Sequence, residues 1–427
     1  MFIENEVSIY NLINAISETV DLVSPVLNNH HNKVACISYR IAQRMKLADD
    51  DIEDIVMAAM LHDIGAFSTE DRIKAFAYDS FDSELSEHAL LGHKLLKNFP
   101  PLANAARLIK YHHSDYEKLR ANIPMGSNII HLADNVCILL NERREILAQI
   151  PEVLDKIIQR HKKFHPDTIA ALLYLARFEY FWLEAFSPPS STFILKQALS
   201  PKKIQGLESL KEFAKVIAKI IDFRSRYTAA HSRGTAAVAH EIAVISGFTE
   251  RECKRIEIAG LLHDLGKLSI PNDVLEKNGK LDNEEINVIR KHSYYTYAAL
   301  RKIDGMEDIS TWAAYHHERQ DGNGYPFHVN GEDFPKPARI MVVADILTAL
   351  TEDRPYRPGI DMEDAMGTMF SMAKNGGLDK SIVELADKYF LPINYVRIKA
   401  QQEAIEDYKS YHIITGDLCK KKVKQLA

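Results

Sequence analysis

The stretches "HNKVACISYRIAQRMKLADDDIEDIVMAAMLHDIG" (residues 31 to 65) and "SRGTAAVAHEIAVISGFTERECKRIEIAGLLHDLG" (residues 232 to 266) align without a gap when 201 is added to each number. Both carry helical periodicity, and both close on a His-Asp pair. The register sets His30 on His231 and His62-Asp63 on His263-Asp264. Working outward, His88 falls on His292, His112-His113 on His316-His317, and Asp134 on Asp345, with small length differences between the blocks. The first histidine lies 32 residues before the His-Asp pair in both halves, and His88 to His112 spans 24 residues, as does His292 to His316. The chain is therefore expected to be a tandem repeat.

Elsewhere most of the sequence is also helical in period, while alternating runs bounded by turn signals are scarce, so the expected fold is all-α. The stretch "SPPSST" (187 to 192) suits a break between domains, and divides the chain into a first domain over 1–190, a linker over 191–204 and a second domain over 205–427. A chain of 427 residues with 46% hydrophobic and 26% charged residues is of ordinary globular composition. A net charge of -6 without a basic stripe excludes a long nucleic acid as partner. The N-terminus lacks a basic region followed by an apolar core, so no secretory signal is expected. The longest apolar segment, "IAALLYLARFEYFWLEAF" (169 to 186), is interrupted by Arg177, Glu179 and Glu184, and reads as a buried helix, with no membrane span. Four scattered cysteines form no C-x-x-C pair, and the expected location is cytoplasmic.

A single histidine in a helix is usually a core or surface residue with one hydrogen bond, and His31, His93, His131, His161, His165, His240 and His412 are read that way. The repeated set reads differently, because titratable groups are costly inside apolar helices unless something binds them there. Two copies of five histidines and two aspartates at matched spacing point to metal ligation. Imidazole and carboxylate without thiolate suit Fe, Mn, Zn or Co. Seven ligands exceed what one ion with an open position uses. Two ions about 3.5 to 4 Å apart, sharing a carboxylate and a solvent-derived hydroxide, are the economical arrangement.

The second half resembles the HD-GYP domain, a subclass of the HD phosphohydrolases, through "HDLGK", "IPNDVLEKNGKLDNEE", "KHSYYT", "HHERQDGNGYP" and "ADILTALTEDRPYR", in that order over about residues 205 to 400. The first half looks like a more distant HD domain that keeps the ligand positions. The resemblance implies two HD-type helical domains in tandem, and hydrolysis of a cyclic dinucleotide, cyclic di-GMP or cyclic GMP-AMP, at an iron or manganese centre. Carried over by position, it puts one metal on His231, His263, Asp264 and Asp345 and the other on His292, His316 and His317, with Asp264 bridging. Relatives with a third metal have a glutamate where this chain has Tyr227, which implies two divalent ions here. Thr348-Ala349 stands where the family usually has Asp-Ala.

By the same resemblance Lys267 steadies phosphate oxygens, and Arg354 and Arg357 hold the second phosphate or a guanine. Tyr325 is expected to stack on a base, with Gly322 and Gly324 giving its loop backbone conformations closed to other residues. The first half has Ala66 in place of Lys267, "HHSDYEKLRANIP" in place of the glycine loop, and nothing like "DRPYR" after Asp134. It is expected to bind metal through His30, His62, Asp63, His88, His112, His113 and Asp134 while regulating or scaffolding the second half, with a signalling protein or a second copy as a further partner. A di-iron oxygenase and a binding module without turnover are the competing readings of the same ligands.

Overall fold

A computed structural model describes residues 6–23, 29–66, 86–199, 202–224, 230–277, 279–353 and 358–425, with side chains described up to residue 407 except at 121 and 332. Tyr227, Arg354, Arg357 and the side chain of His412 lie outside the described residues. The chain forms two compact units, one over Ser8–Lys203 and the other over Ile204–Ala427 with Met1–Val7. Among the described residues the only strands are β1 (Glu6–Ser8) and β2 (Lys203–Gln205), which pair with each other. Everything else that is regular is helical, as the periodicity required.

The first unit runs α1 (Ile9–Asp21), α2 (His30–Arg44), α3 (Asp49–Met60), α4 (Glu87–Leu96), α5 (Ala103–Lys110), α6 (Met125–Leu139), α7 (Ile150–Gln159), α8 (Pro166–Leu175), α9 (Glu179–Phe186) and α10 (Pro188–Ala198). The apolar stripe of α2, Val34, Ile37 and Ile41, is fully buried, as are Ile55, Met57 and Met60 of α3. Two expectations change here. The apolar segment 169–186 is two helices, because Ala176 to Phe178 leave the helix and the Ala176 carbonyl accepts the indole N–H of Trp182 at 3.2 Å. That bond lets Trp182 and Phe181 be fully buried, each worth about 2–3 kcal/mol of apolar transfer. The "SPPSST" stretch opens α10, with prolines in its first turn, where a missing N–H costs no intrahelical bond. The chain passes between the units at Lys203–Ile204, at the C-terminal end of the linker expected over 191–204.

The second unit runs α11 (Gly206–Arg224), α12 (His231–Ile245), α13 (Glu250–Leu262), α14 (Asn283–Leu300), α15 (Glu307–Ala314), α16 (Lys336–Thr351), α17 (Met362–Lys374), α18 (Lys380–Lys388) and α19 (Phe390–Gln425). Its helices start where the sequence supplies caps. Thr249 and Glu252 form a reciprocal capping box at α13, and Asp282 and Glu285 form one at α14. Among the described residues no helix is long and apolar enough to cross a membrane. Cys36, Cys137 and Cys253 are buried and free.

Candidate metal centres

Helix ends and the turns after them deliver five of the second unit's candidate ligands, and the middles of two helices deliver the others. His231 opens α12, His263 caps the C-terminus of α13, and Asp264 begins the tight turn that follows. His292 comes from α14, His316 and His317 from a single turn after α15, and Asp345 from α16. The turn after Asp264 is held by Arg224, which donates to the carbonyls of Leu268 and Ile270 and to the Asn272 side chain. Thr296 of α14 donates to the His263 carbonyl at 3.0 Å and accepts the Gly266 N–H at 2.9 Å.

Gly266 is required by space. A Cβ there would lie 1.9 Å from the His292 carbonyl oxygen, and at Gly65 in the first unit it would lie 2.2 Å from that of His88. This contact is what brings the fourth-helix histidine to the aspartate in each half. Gly266→Ala is expected to destabilise the second unit by about 1–3 kcal/mol through overpacking and to lower its metal content. Thermal unfolding with metal analysis would check it; unchanged metal retention would refute the link.

The donor atoms converge. His231 Nε2 lies 2.9 Å and His263 Nε2 3.9 Å from Asp345 Oδ1. Asp264 divides its oxygens, with Oδ2 3.2 Å from His263 Nε2 and Oδ1 3.5 and 3.9 Å from the Nε2 atoms of His292 and His316. His317 packs on both His292 and His316, at ring separations of 5.1 and 4.1 Å. The donor atoms form the groups His231, His263, Asp264 and His292, His316, His317, each tight enough to hold an ion. All seven expected residues are brought together.

Tautomers decide whether metal fits. His263, His292 and His316 each place Nδ1 2.6–2.8 Å from the carbonyl three residues earlier, so Nδ1 carries a proton, and in the neutral rings of His292 and His316 Nε2 presents a lone pair. His292 Nε2 and His316 Nε2 nevertheless face each other at 3.0 Å. Two lone pairs at that distance repel, and a cation shared by them removes the repulsion. Burial pushes His292 down to about 3 and His317 to about 4, so these rings stay neutral, the form that binds metal. Burial would raise the Asp264 carboxyl, but the His263 imidazole and the Lys267 ammonium, 2.5 Å from Oδ2, hold it well below the usual range. Lys267 thus stands beside the carboxylate as a cation would.

The first unit repeats the way the two aspartates face the histidines. Asp63 turns Oδ2 to His62 Nε2 at 3.4 Å and Oδ1 to His88 and His112 Nε2 at 3.2 and 3.6 Å. Asp134 Oδ1 lies 3.2 Å from His30 Nε2 and 3.8 Å from His62 Nε2, and its Oδ2 is 4.0 Å from His113 Nδ1. His62 and His112 donate Nδ1–H to the carbonyls of Ala59 and Ile109. Burial pushes His62 down to about 3 and His30 to about 4. The electrostatics differ at the second aspartate: burial, aided by Asp63, raises Asp134 to about 6, whereas Asp345 is depressed by His231 and His263 against the same burial. Ala66 keeps the turn, its N–H bonding the Asp63 carbonyl at 2.9 Å as that of Lys267 bonds the Asp264 carbonyl, but brings no charge.

The loop after His317 has a different job from the one expected of its glycines. Gly322 has a φ of 75°, which favours glycine, but Gly324 does not; its Cβ would strike Glu318 Cα at 2.4 Å, so it is needed for close approach. Glu318, fully buried, accepts the N–H groups of Phe327 at 2.6 Å and Val329 at 3.2 Å and ties the loop back. The Tyr325 ring stacks on His317 at 4.8 Å, with the Arg290 guanidinium 5.2 Å from its centroid.

Four groups escaped the sequence reading. Glu352 accepts from His231 Nδ1 at 3.1 Å and from Gln401 of α19 at 3.0 Å, orienting a ligand from outside. Its signal was its place two helical turns after Asp345. Arg224 and Glu318 are the second and third, both buried charges that bond backbone groups, which no spacing reveals. The fourth is His31, whose ring lies 5.0 Å from that of His62. The other histidines read as ordinary are mostly so: His93 and His161 bond nearby carbonyls, His165 caps α8, and His131 packs on Phe164. Thr348, one turn after Asp345, is fully buried.

Comparisons with known proteins agree with this geometry. The chain matches the HD domain family twice, over residues 28–139 and 215–382. It is 28% identical to the 3′3′-cGAMP-specific phosphodiesterase 1 of Vibrio cholerae over 90% of this chain and 92% of that protein. A cyclic di-GMP phosphodiesterase response regulator of Xanthomonas campestris is 36% identical over 42% of this chain and 47% of its own length. The crystal structure of a cyclic GMP-AMP specific phosphodiesterase of V. cholerae superposes with a TM-score of 0.62 at 21% identity, over 89% of this chain and 97% of that one, and shares the fold. With an HD domain in each half and the ligand set of both in place, the chain belongs to the HD-GYP family.

Proposed function

We infer that this protein hydrolyses a cyclic dinucleotide second messenger, cyclic di-GMP or 3′,3′-cyclic GMP-AMP, to the linear dinucleotide at the centre of its second unit, in the cytoplasm. The observation that carries the reading is the pair of buried lone-pair nitrogens of His292 and His316 at 3.0 Å beside a carboxylate whose two oxygens face different histidines. His231, His263, Asp264 and Asp345 would hold one divalent ion and His292, His316 and His317 the other, with Asp264 between them. Iron or manganese fits this set of imidazoles and carboxylates without thiolate. Bound, such a pair supplies Lewis-acid charge neutralisation and activation of water at neutral pH. The protein's share is placement. Asp264 fixes the separation of the two ligand groups, and Glu352 orients His231. Lys267, bonded to Asp264 Oδ2 at 2.5 Å, would contact a phosphate oxygen of the substrate. Tyr325, stacked on His317, walls the mouth, and Arg354 and Arg357 are proposed to hold the far phosphate or base. A lysine beside the bridging carboxylate favours an anionic diester over dioxygen as the reactant.

The first unit is proposed to bind metal through His30, His62, Asp63, His88, His112, His113 and Asp134 without hydrolysing the substrate, because Ala66 brings no cation, and to regulate or scaffold the second. The test is chromatographic: anaerobic protein loaded with Fe(II) or Mn(II), incubated with each ring separately. Linear product from one or both is expected; no product from either, with both ions bound, would overturn the reading. A pH dependence follows too. In the metal-free site burial opposes charge on His231 and His263, but Glu352 and Asp345 on the first and Asp264 on the second raise their pKa values above the ordinary one. Metal must displace those protons, so loading is expected to release protons and to weaken as pH falls. Titration in weak buffer would measure this; uptake without proton release would contradict it.

A further inference from the structure

The repeat also breaks at a buried position beside the candidate ligands. Beside the first ligand histidine the second unit has Ser232, whose hydroxyl donates to Asp222 at 2.7 Å. Subtracting 201 from both numbers gives His31 and Asp21, and in the first unit His31 Nδ1 lies 2.5 Å from Asp21 Oδ1. The carboxylate is retained while a hydroxyl has become an imidazole. His31 is 3% exposed, and its ring lies 5.6 Å from that of His30 and 5.0 Å from that of His62. Its donor atom falls within 4.8 Å of those of His62 and Asp63, forming a third ligand-sized group in this unit.

The geometry points to His31 as an additional metal ligand of the first-unit centre, oriented by Asp21. An imidazole that serves a metal ordinarily gives its other nitrogen to a carboxylate or carbonyl, which fixes the tautomer and makes the ligating nitrogen more basic. Asp21 holds Nδ1, which leaves Nε2 as the ligating atom toward His62 and Asp63. The first unit then offers six imidazoles and two carboxylates, against five and two in the second, and lacks the lysine that there stands against the bridging aspartate. A ligand set richer in nitrogen favours borderline divalent ions such as Fe(II), Co(II), Zn(II) or Ni(II) over Mn(II) or Mg(II). It also occupies a coordination position that a hydrolytic centre keeps open for water or substrate. His31 therefore makes the first centre a site that retains metal, in contrast to the open one in the second unit.

This rests on the proposal that the first unit binds metal at all, and the experiment separates the two. The full chain carrying His292→Ala, to weaken the second centre, is titrated anaerobically with Co(II) and followed by visible absorption and paramagnetic proton NMR. It is compared with the same chain also carrying His31→Ser, His31→Asn or Asp21→Asn. Asparagine keeps a donor for Asp21 and so guards against a packing defect. Expected are a 10- to 100-fold weaker affinity and a changed spectrum in both His31 variants, loss of one shifted exchangeable imidazole N–H signal, and an intermediate fall for Asp21→Asn. Co(II) bound with equal affinity and an unchanged spectrum in all four would overturn the role of His31 while leaving the first centre intact. No Co(II) bound to the first unit in any of them would overturn that centre and His31 with it.

Discussion

Asp264→Ala is expected to abolish ring opening, with kcat lower by roughly 10³-fold or more, because both ion positions lose the carboxylate that joins them and charge neutralisation at phosphorus goes with it. Asp264 is 2% exposed and its oxygens reach His263, His292, His316 and Lys267, so alanine removes a carboxylate that faces both ligand groups. The informative comparison is Asp63→Ala, the equivalent change in the first unit. That variant is expected to lose first-unit metal yet keep hydrolysis within a few-fold of the parent. Both are measured as linear product per unit time with metal content and circular dichroism alongside. A folded Asp63→Ala protein as inactive as Asp264→Ala would sink the division of labour between the units.

Lys267→Met is expected to lower kcat by roughly 10²- to 10³-fold, the usual cost of removing one group aimed at developing charge, with little change in metal content. In the metal-free protein Lys267 is bonded to Asp264. Methionine keeps an unbranched apolar stem and removes the ammonium group. An ammonium that steadies the transition state changes kcat more than KM, whereas one that merely binds the ring raises KM alone. Lys267→Arg, which keeps charge but adds bulk, is expected to recover part of the loss. If Lys267→Met turned over at the parental rate with two ions bound, the lysine would be a structural partner of Asp264 and nothing more.

Much of this was legible before any coordinates, and the reason is local. Apolar period decides helices, so the all-α fold could be read from it, and histidines and aspartates repeated at offsets of 201 to 211 singled out the fourteen residues that the fold gathers into two clusters. The His-Asp pairs sit at helix ends because histidine there bonds its own helix's carbonyl through Nδ1, a contact between residues three apart.

What sequence by itself left open depends on contacts beyond the reach of helical period, most of them between residues far apart. The 169–186 segment is one apolar run, and only the bond from Trp182 back to Ala176 shows it as two helices. Prolines at 188 and 189 read as a break between domains, and the structure has them in the first turn of a helix. Glu352 and Glu318 are ordinary acidic residues until the fold sets one against His231 across 121 positions and closes the other under a loop. His31 read as one more surface or core histidine, and only tertiary structure placed its ring beside His62 and its Nδ1 on Asp21. Spacing reports which residues share a helix face. Which faces meet, and therefore which buried group finds a partner of opposite charge, is set by how the helices pack.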